Sequence, residues 1–272
     1  MGWQELETSL KRPGADAPKR VVPFLTMGFP DLEATMSIVP ALERAGAAAL
    51  ELGVPFSDPL AEGPTIQRSS EGALANGVTL SSCLDAAAAL RAKGVRMPMV
   101  LMGYYNPFLA YGLEEVAAAA VSAGVDGFIV PDLPVEEHQP FLEACLRHGL
   151  GLVPLLAPTS TDDRIGAACA TAHGFIYCVS LLGVTGARDQ PLPEAESLIS
   201  RVRSRTGKPL AVGFGISRKA QVDALPNDVD AVVVGSALVD LIAGTGPDER
   251  ESRVHEFVTG LGASPRQQGE QR

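Results

Sequence analysis

Pro209–Ile242 reads PLAVGFGISRKAQVDALPNDVDAVVVGSALVDLI and contains one unit twice. Pro209–Val212 and Ala231–Val234 are short apolar runs, each followed at once by a glycine-bearing turn, GFGIS in the first and GSALV in the second. Near-continuous hydrophobicity without polar alternation is what a parallel strand covered on both faces requires. Six runs of the same kind precede them: Arg20–Leu25, Ala48–Leu52, Met97–Met102, Gly127–Val130, Gly151–Leu155 and Phe175–Val179. Helical patterns fill the gaps. Asp31 and Thr79 are N-caps for apolar stripes at Leu32, Met36, Val39 and Leu42 and at Leu80, Leu84, Ala87 and Leu90; Thr161 with Asp162 and Asp163 opens another helix. Most strand-to-strand intervals span about 22 to 35 residues, the size of a βα unit, and the second, about 50, holds an inserted loop and an extra turn of helix.

Eight such units in about 250 residues predict a (β/α)8 barrel, the TIM-barrel form of the α/β class. An open doubly wound sheet would carry G-x-G-x-x-G after its first strand, where this chain has TMGFPD. No linker divides the chain, so a single domain is expected. Residues 1–18 form an N-terminal segment with a short amphipathic helix (Trp3, Leu6, Leu10) covering the bottom, 19–261 the barrel, and 262–272 a disordered polar tail.

The 272 residues are 46% hydrophobic, enough for a sizeable core, and carry 22 Lys and Arg against 32 Asp and Glu, a net charge of -10. That balance argues against nucleic acid as a partner. The four cysteines, Cys83, Cys145, Cys169 and Cys178, form no C-x-x-C pair and read as reduced buried thiols. The first 20 residues have no signal-peptide-like apolar stretch, and no run approaches the roughly 18 residues of a membrane helix, so a cytoplasmic, membrane-free protein is expected.

Barrel active sites lie at the C-terminal strand ends. Glu51, within AALELGVPFSDP, is the acidic residue that this rule selects. If Leu50 and Leu52 face the helices, Glu51 faces the mouth, where desolvation raises its pKa toward the range useful for proton transfer. The loop beyond it carries Asp58 and Glu62, each a possible second carboxylate; an Asx-type turn is the competing reading for Asp58 and plain solvation for Glu62. Asp126 and Asp230 precede their strands and read as turn-forming, solvated residues. Glycine turns after the seventh and eighth strands, with Gly215, Gly235 and Ser236, suit a phosphate held by backbone N–H groups and a helix N-terminus. His138, His148, His173 and His255 fall in helical or pre-strand segments away from the mouth and match no metal motif, so no metal is expected. Neither G-x-S-x-G nor a P-loop occurs.

In order, ELGVPFSDPLAEGPTIQ, PDLPVEE, SLLGVTGARD, VGFGIS and VGSALV resemble the tryptophan synthase alpha subunit family, over about Val21 to Ile242. The resemblance implies a (β/α)8 lyase that cleaves indole-3-glycerol phosphate to indole and glyceraldehyde 3-phosphate by retro-aldol chemistry. It implies no cofactor in this chain and a pyridoxal-phosphate β subunit as partner, in an αββα complex through which indole passes. Glu51 matches the catalytic acid/base. Glu62 falls where the family commonly has Asp, which stabilises charge on the indole nitrogen; the extra methylene is expected either to be absorbed by the loop or to slow the reaction. Tyr104, Tyr177 and Phe24 match positions about the indole ring. Thr185 and Gly186 match the closing loop, and Gly186, Gly215, Gly235 and Ser236 the phosphate contacts. Leu181 and Leu182 stand where some members are polar. Pro55, Phe56, Ser57, Asp58 and Pro59, with Asp132, match the face toward the β subunit. The alternatives are a stand-alone lyase, a weakly catalytic regulatory subunit of the β chain, and another phosphate-binding barrel, which would lack the ELGVPFSDP loop.

Overall fold

The structure is a computed structural model that describes residues 2–179, 193–213 and 215–263. In chain order the elements are α1 (Trp3–Leu10), β1 (Arg20–Thr26), α2 (Leu32–Arg44), β2 (Leu50–Gly53), α3 (Pro64–Ala75), α4 (Leu80–Ala92), β3 (Met99–Met102), α5 (Tyr105–Tyr111), α6 (Leu113–Ser122) and β4 (Gly127–Ile129). There follow α7 (Gln139–Arg147), β5 (Gly151–Val153), β6 (Leu155–Leu156), α8 (Asp162–Thr171), β7 (Ile176–Val179), α9 (Pro193–Arg203), β8 (Leu210–Gly213), α10 (Lys219–Ala224), β9 (Ala231–Val234), α11 (Ser236–Ala243) and α12 (Pro247–Gly260). Among the described residues no single helix is long and apolar enough to cross a membrane.

The strands hydrogen-bond in the order β5-β4-β3-β2-β1-β9-β8-β7-β6, and every pairing is parallel. The two strands at the ends of that order, β5 and β6, are separated in the chain by Pro154 alone, so the backbone itself closes the ring. The sequence predicts one strand there. Proline has no N–H to donate, so the ladder breaks at Pro154. Its carbonyl still accepts from Tyr177 N at 3.0 Å, and pairing then passes from β4 on one side to β7 on the other. Nine short strands thus make eight staves.

Register sorts the side chains into two shells. Phe24 pairs with Glu51 and Glu51 with Val100, while Leu25 pairs with Leu52 and Leu52 with Leu101. Phe24 and Val100 belong to the inner cluster with Ile129, Val153, Tyr177 and Val233. Leu25, Leu52 and Leu101 belong to the outer cluster, packed against the helices. In-register residues of neighbouring parallel strands share a face, so Glu51 points inward.

Asp31 caps α2 by accepting from Ala34 N at 2.7 Å, and Thr79 caps α4 reciprocally with Ser82. The α2 stripe is rotated from the expected one: Ile38, Val39 and Leu42 are buried, whereas Leu32 is exposed. The long second interval holds a whole extra helix, α3, rather than one turn.

At the N-terminal strand ends, α1 inserts Leu6 and Leu10 into the inner cluster, and the Trp3 ring meets His173 edge-on at 5.0 Å. Asp126 and Asp230 sit at this end and are clamps rather than solvated turn residues. Asp126 accepts from Met99 N at 2.9 Å and pairs with Arg91 at 2.9 Å; Asp230 accepts from Leu210 N at 2.9 Å and pairs with Arg203 at 2.6 Å. Each arginine also donates to loop carbonyls, Arg91 to those of Val95 and Met97 and Arg203 to those of Lys208 and Asp228. The same device therefore ties β3 to the entry of β4 and β8 to the entry of β9. Ala263 remains packed on the outer shell, and the tail from residue 264 onward lies outside the described residues.

Candidate active site

Glu51 is 1% exposed, and its Oε1 has no hydrogen-bond partner among the described residues. Desolvation alone pushes its carboxyl up to about 8, so the group is mostly protonated at neutral pH. Beside it, burial first and the Glu51 charge second push the Tyr177 hydroxyl well above its ordinary value. Two glycines leave room for the aromatic rings of Tyr177 and Phe24. A Cβ on Gly213 would overlap the Tyr177 hydroxyl, and one on Gly53 would come within 2.6 Å of the Phe24 ring.

Glu62 reaches the same end of the barrel from the loop after β2. It is half-buried, and desolvation pushes its carboxyl up to about 7. Its backbone is pinned on both sides: Ala61 N donates to the Tyr104 hydroxyl at 2.9 Å, and the Glu62 carbonyl accepts from Gln67 Nε2 at 3.0 Å. Tyr104 is buried, and Phe56 stacks on it with centroids 5.0 Å apart. Tyr104, matched to the ring pocket, and Phe56, matched to the loop face, therefore pack against each other.

Gly215 and Gly235 follow β8 and β9, neighbours in the ring. Gly215 has φ 81°, a left-handed conformation that suits glycine, and its carbonyl accepts from Gln221 Nε2 at 3.2 Å. Gly235 caps α11, and Ser236 is that helix's first residue. First-turn N–H groups have no intrahelical partner and carry the positive end of the helix dipole. A Cβ at Gly235 would touch the Phe24 ring at 3.4 Å, which places this turn directly beside the inner mouth residues. Thr185, Gly186, Leu181 and Leu182 lie outside the described residues.

Along the outer loop Pro55 is buried, Phe56 and Pro59 are half-buried, and Ser57 and Asp58 are exposed, with a hydrogen bond from the Ser57 hydroxyl to the Asp58 carboxylate. Leu60, which the sequence reading did not single out, is 92% exposed at the tip of this loop. Asp132 is exposed and accepts from Tyr105 N at 2.9 Å, capping α5 from another loop.

A cavity of about 390 Å³ opens at this end between the loops after β3, β4 and β6. Ala61 and Met102 line it on the Glu62 side, Leu155 and Val179 inside, and His138 and Ser160 on the far side. His138 is thus not away from the mouth, as its sequence context suggests. Helix α7 starts only at Gln139, so the prolines of PDLPVEEH leave His138 at the end of a loop, and the fold buries it to 7% exposure. Proline spacing was the available signal, and it marks a loop without saying which way its side chains turn. Among the described residues no group of three or more His, Cys, Asp or Glu is arranged to hold a metal ion, and all four cysteines are buried and free.

The arrangement places one largely protonated carboxyl inside the mouth, a second carboxyl on a pinned loop, a cavity at the same end of the barrel, and two glycine turns suited to an oxyanion. A family profile described as tryptophan synthase alpha chain matches residues 11–264. The tryptophan synthase alpha chain of Roseiflexus sp. (strain RS-1) is 50% identical over 241 residues, 89% of this chain and 92% of that one. A chain from the tryptophan synthase a2b2 complex of Pyrococcus furiosus superposes with a TM-score of 0.81 at 37% identity, covering 89% of this chain and 97% of that one. One from the aminoacrylate-bound tryptophan synthase of M. tuberculosis gives 0.83 at 33%, covering 95% and 98%.

Proposed function

Since the chain belongs to the tryptophan synthase alpha chain family, we propose that it cleaves indole-3-glycerol phosphate to indole and glyceraldehyde 3-phosphate. The observation that carries this reading is the buried, unpartnered and largely protonated carboxyl of Glu51, held inside the mouth whose rim bears the two glycine turns. Glu51 donates its proton to the ring carbon that bears the glycerol chain, and the ring becomes an indolenine cation. The Glu62 carboxylate stabilises the positive charge at the ring nitrogen. The Glu51 carboxylate then takes the proton of the adjacent side-chain hydroxyl as the carbon–carbon bond breaks. The bonding pair returns to the ring, a carbonyl forms on the departing glyceraldehyde phosphate, and Glu51 regains its proton. No redox equivalent is consumed, and the cycle needs no group beyond the two carboxyls, so no cofactor is assigned to this chain.

Gly215, Gly235 and Ser236 hold the phosphate through backbone N–H groups. Phe24, Tyr104 and Tyr177 flank the ring. The relative from Pyrococcus furiosus is part of an a2b2 complex, and we assign this chain an equivalent β-subunit partner that carries pyridoxal phosphate. Pro55–Pro59 and Asp132 form the contact face, and the solvent-exposed Leu60 gives it an apolar tip.

The test is indole release from indole-3-glycerol phosphate by the purified chain, with and without a β subunit. Release that rises with β is expected, together with a loss of at least about 100-fold in Glu51→Gln. High activity alone that β does not change would favour a stand-alone lyase, and undiminished release by Glu51→Gln would overturn the mechanism.

A further inference from the structure

Two buried polar side chains on the mouth cavity have hydrogen-bonding capacity that the fold leaves unused. His138 is 7% exposed, and its imidazole makes no hydrogen bond among the described residues. Ser160 is equally buried; its Oγ accepts from Ala157 N at 3.0 Å, and among the described residues its O–H proton has no acceptor. Polar atoms that line a cavity can be completed by a ligand or by water entering it. Both line one cavity whose remaining wall is largely apolar. Burial lowers the His138 pKa, so near neutral pH the ring offers one donor and one acceptor nitrogen.

Position and size say what reaches them. His138 follows β4 and Ser160 follows β6, whereas the glycine turns follow β8 and β9. In the ring of strands β4 lies across the mouth from those turns. A substrate anchored by its phosphate at the turns therefore directs its other end, the six-membered part of an indole ring, toward His138 and Ser160. An apolar cavity of about 150 Å³ takes a benzene, and a nine-atom bicycle needs about half as much again. The volume here, about 390 Å³, leaves space beyond the ring. Among the described residues the cavity offers no unpaired positive charge for a carboxylate: Asp132 lines it, and the Arg164 guanidinium that lines it is paired with Glu136 at 2.8 Å.

We propose that His138 and Ser160 form a subsite for a neutral hydrogen-bonding substituent on the six-membered ring, so that the chain accepts ring-hydroxylated indole glycerol phosphates as well as the parent compound. The hydroxyl donates to the imidazole nitrogen and accepts from Ser160. This rests on the lyase reading and adds the substrate range of the same site.

The test is equilibrium binding of indole and of 4-, 5-, 6- and 7-hydroxyindole to the full-length chain, with glycerol 3-phosphate present. At least one isomer is expected to bind about tenfold tighter than indole, the effect of a well-made hydrogen bond. That ratio should fall toward one in both Ser160→Ala and His138→Leu. Ser160→Ala removes a single oxygen and keeps the test available if His138→Leu does not fold. Weaker binding of every isomer than of indole, or a ratio unchanged in Ser160→Ala, would overturn the subsite. Indole release from indole-3-glycerol phosphate is measured in parallel. Release accompanied by a flat hydroxyindole series removes the subsite alone, whereas absence of both release and indole binding removes the lyase reading and the subsite together.

Discussion

A carboxyl enclosed like Glu51 is a weak acid by construction, and the same burial sets both its chemistry and its effect on stability. With Glu62 near 7 and Glu51 near 8, the productive pair is ionised Glu62 with protonated Glu51. The pH profile of kcat/KM is therefore expected to be a narrow bell, with an acid limb near 7 and an alkaline limb near 8. Glu62→Gln should remove the acid limb, and initial rates across the range check this. The stability consequence has the opposite sign to that of a salt-bridged carboxylate. Burial lifts the folded pKa of Glu51 above its ordinary value of 4.5, so the folded state binds the extra proton between 4.5 and about 8. Its stabilising contribution is complete below that window and is lost as pH rises through it, by up to about 1.4 kcal/mol per pH unit. Glu51→Gln should flatten this part of the stability curve in urea titrations. The inward direction of Glu51 was legible from the alternation of Leu50 and Leu52. The latch of Tyr104 on Ala61 was not, because it joins residues 43 apart through the tip of one side chain.

Among elements, the clamps at the N-terminal ends show why the strand pairs hold register. Asp126 is fully buried and serves both Met99 N and Arg91, whereas Asp162, which pairs with Arg201 and Arg205, is exposed. Removing one partner from a buried pair leaves an uncompensated charge and an unsatisfied N–H, so Asp126→Ala should cost about 3–5 kcal/mol. Asp162→Ala should cost no more than about 1 kcal/mol. Chemical denaturation of the two variants side by side checks the contrast, and equal losses would refute the clamp. Strand positions were readable because buried parallel strands are continuous apolar runs. The break at Pro154 and the clamp at Asp126 escaped the reading for one reason: each depends on which neighbouring strand offers an N–H or C=O at that height.

The molecule as a whole separates stability from chemistry by end. Helix α1 closes the bottom with Leu6 and Leu10, both fully buried, while Glu51, Glu62 and the glycine turns occupy the opposite end. Leu6→Ala should destabilise the fold by about 2–5 kcal/mol through the cavity that it leaves. Indole release per folded molecule should stay within about twofold at a temperature where the variant is native. Thermal melts and saturating-substrate rates together test this, and a large fall in rate without loss of fold would show that the two ends are coupled.

The order of residues determined the class of fold, the number of staves and the inward aim of Glu51, because these follow from local periods: apolar runs, helix stripes and the alternation of side chains along a strand. It also located both glycine turns at successive strand ends. Only the tertiary structure decided that Tyr104 pins the loop of Glu62, that His138 and Ser160 share a cavity, and that Asp126 is a buried clamp. Those facts depend on which distant staves become neighbours and on where a side-chain tip ends up once water is excluded. A closed parallel barrel brings such groups together from tens of residues apart, and no local period records the meeting.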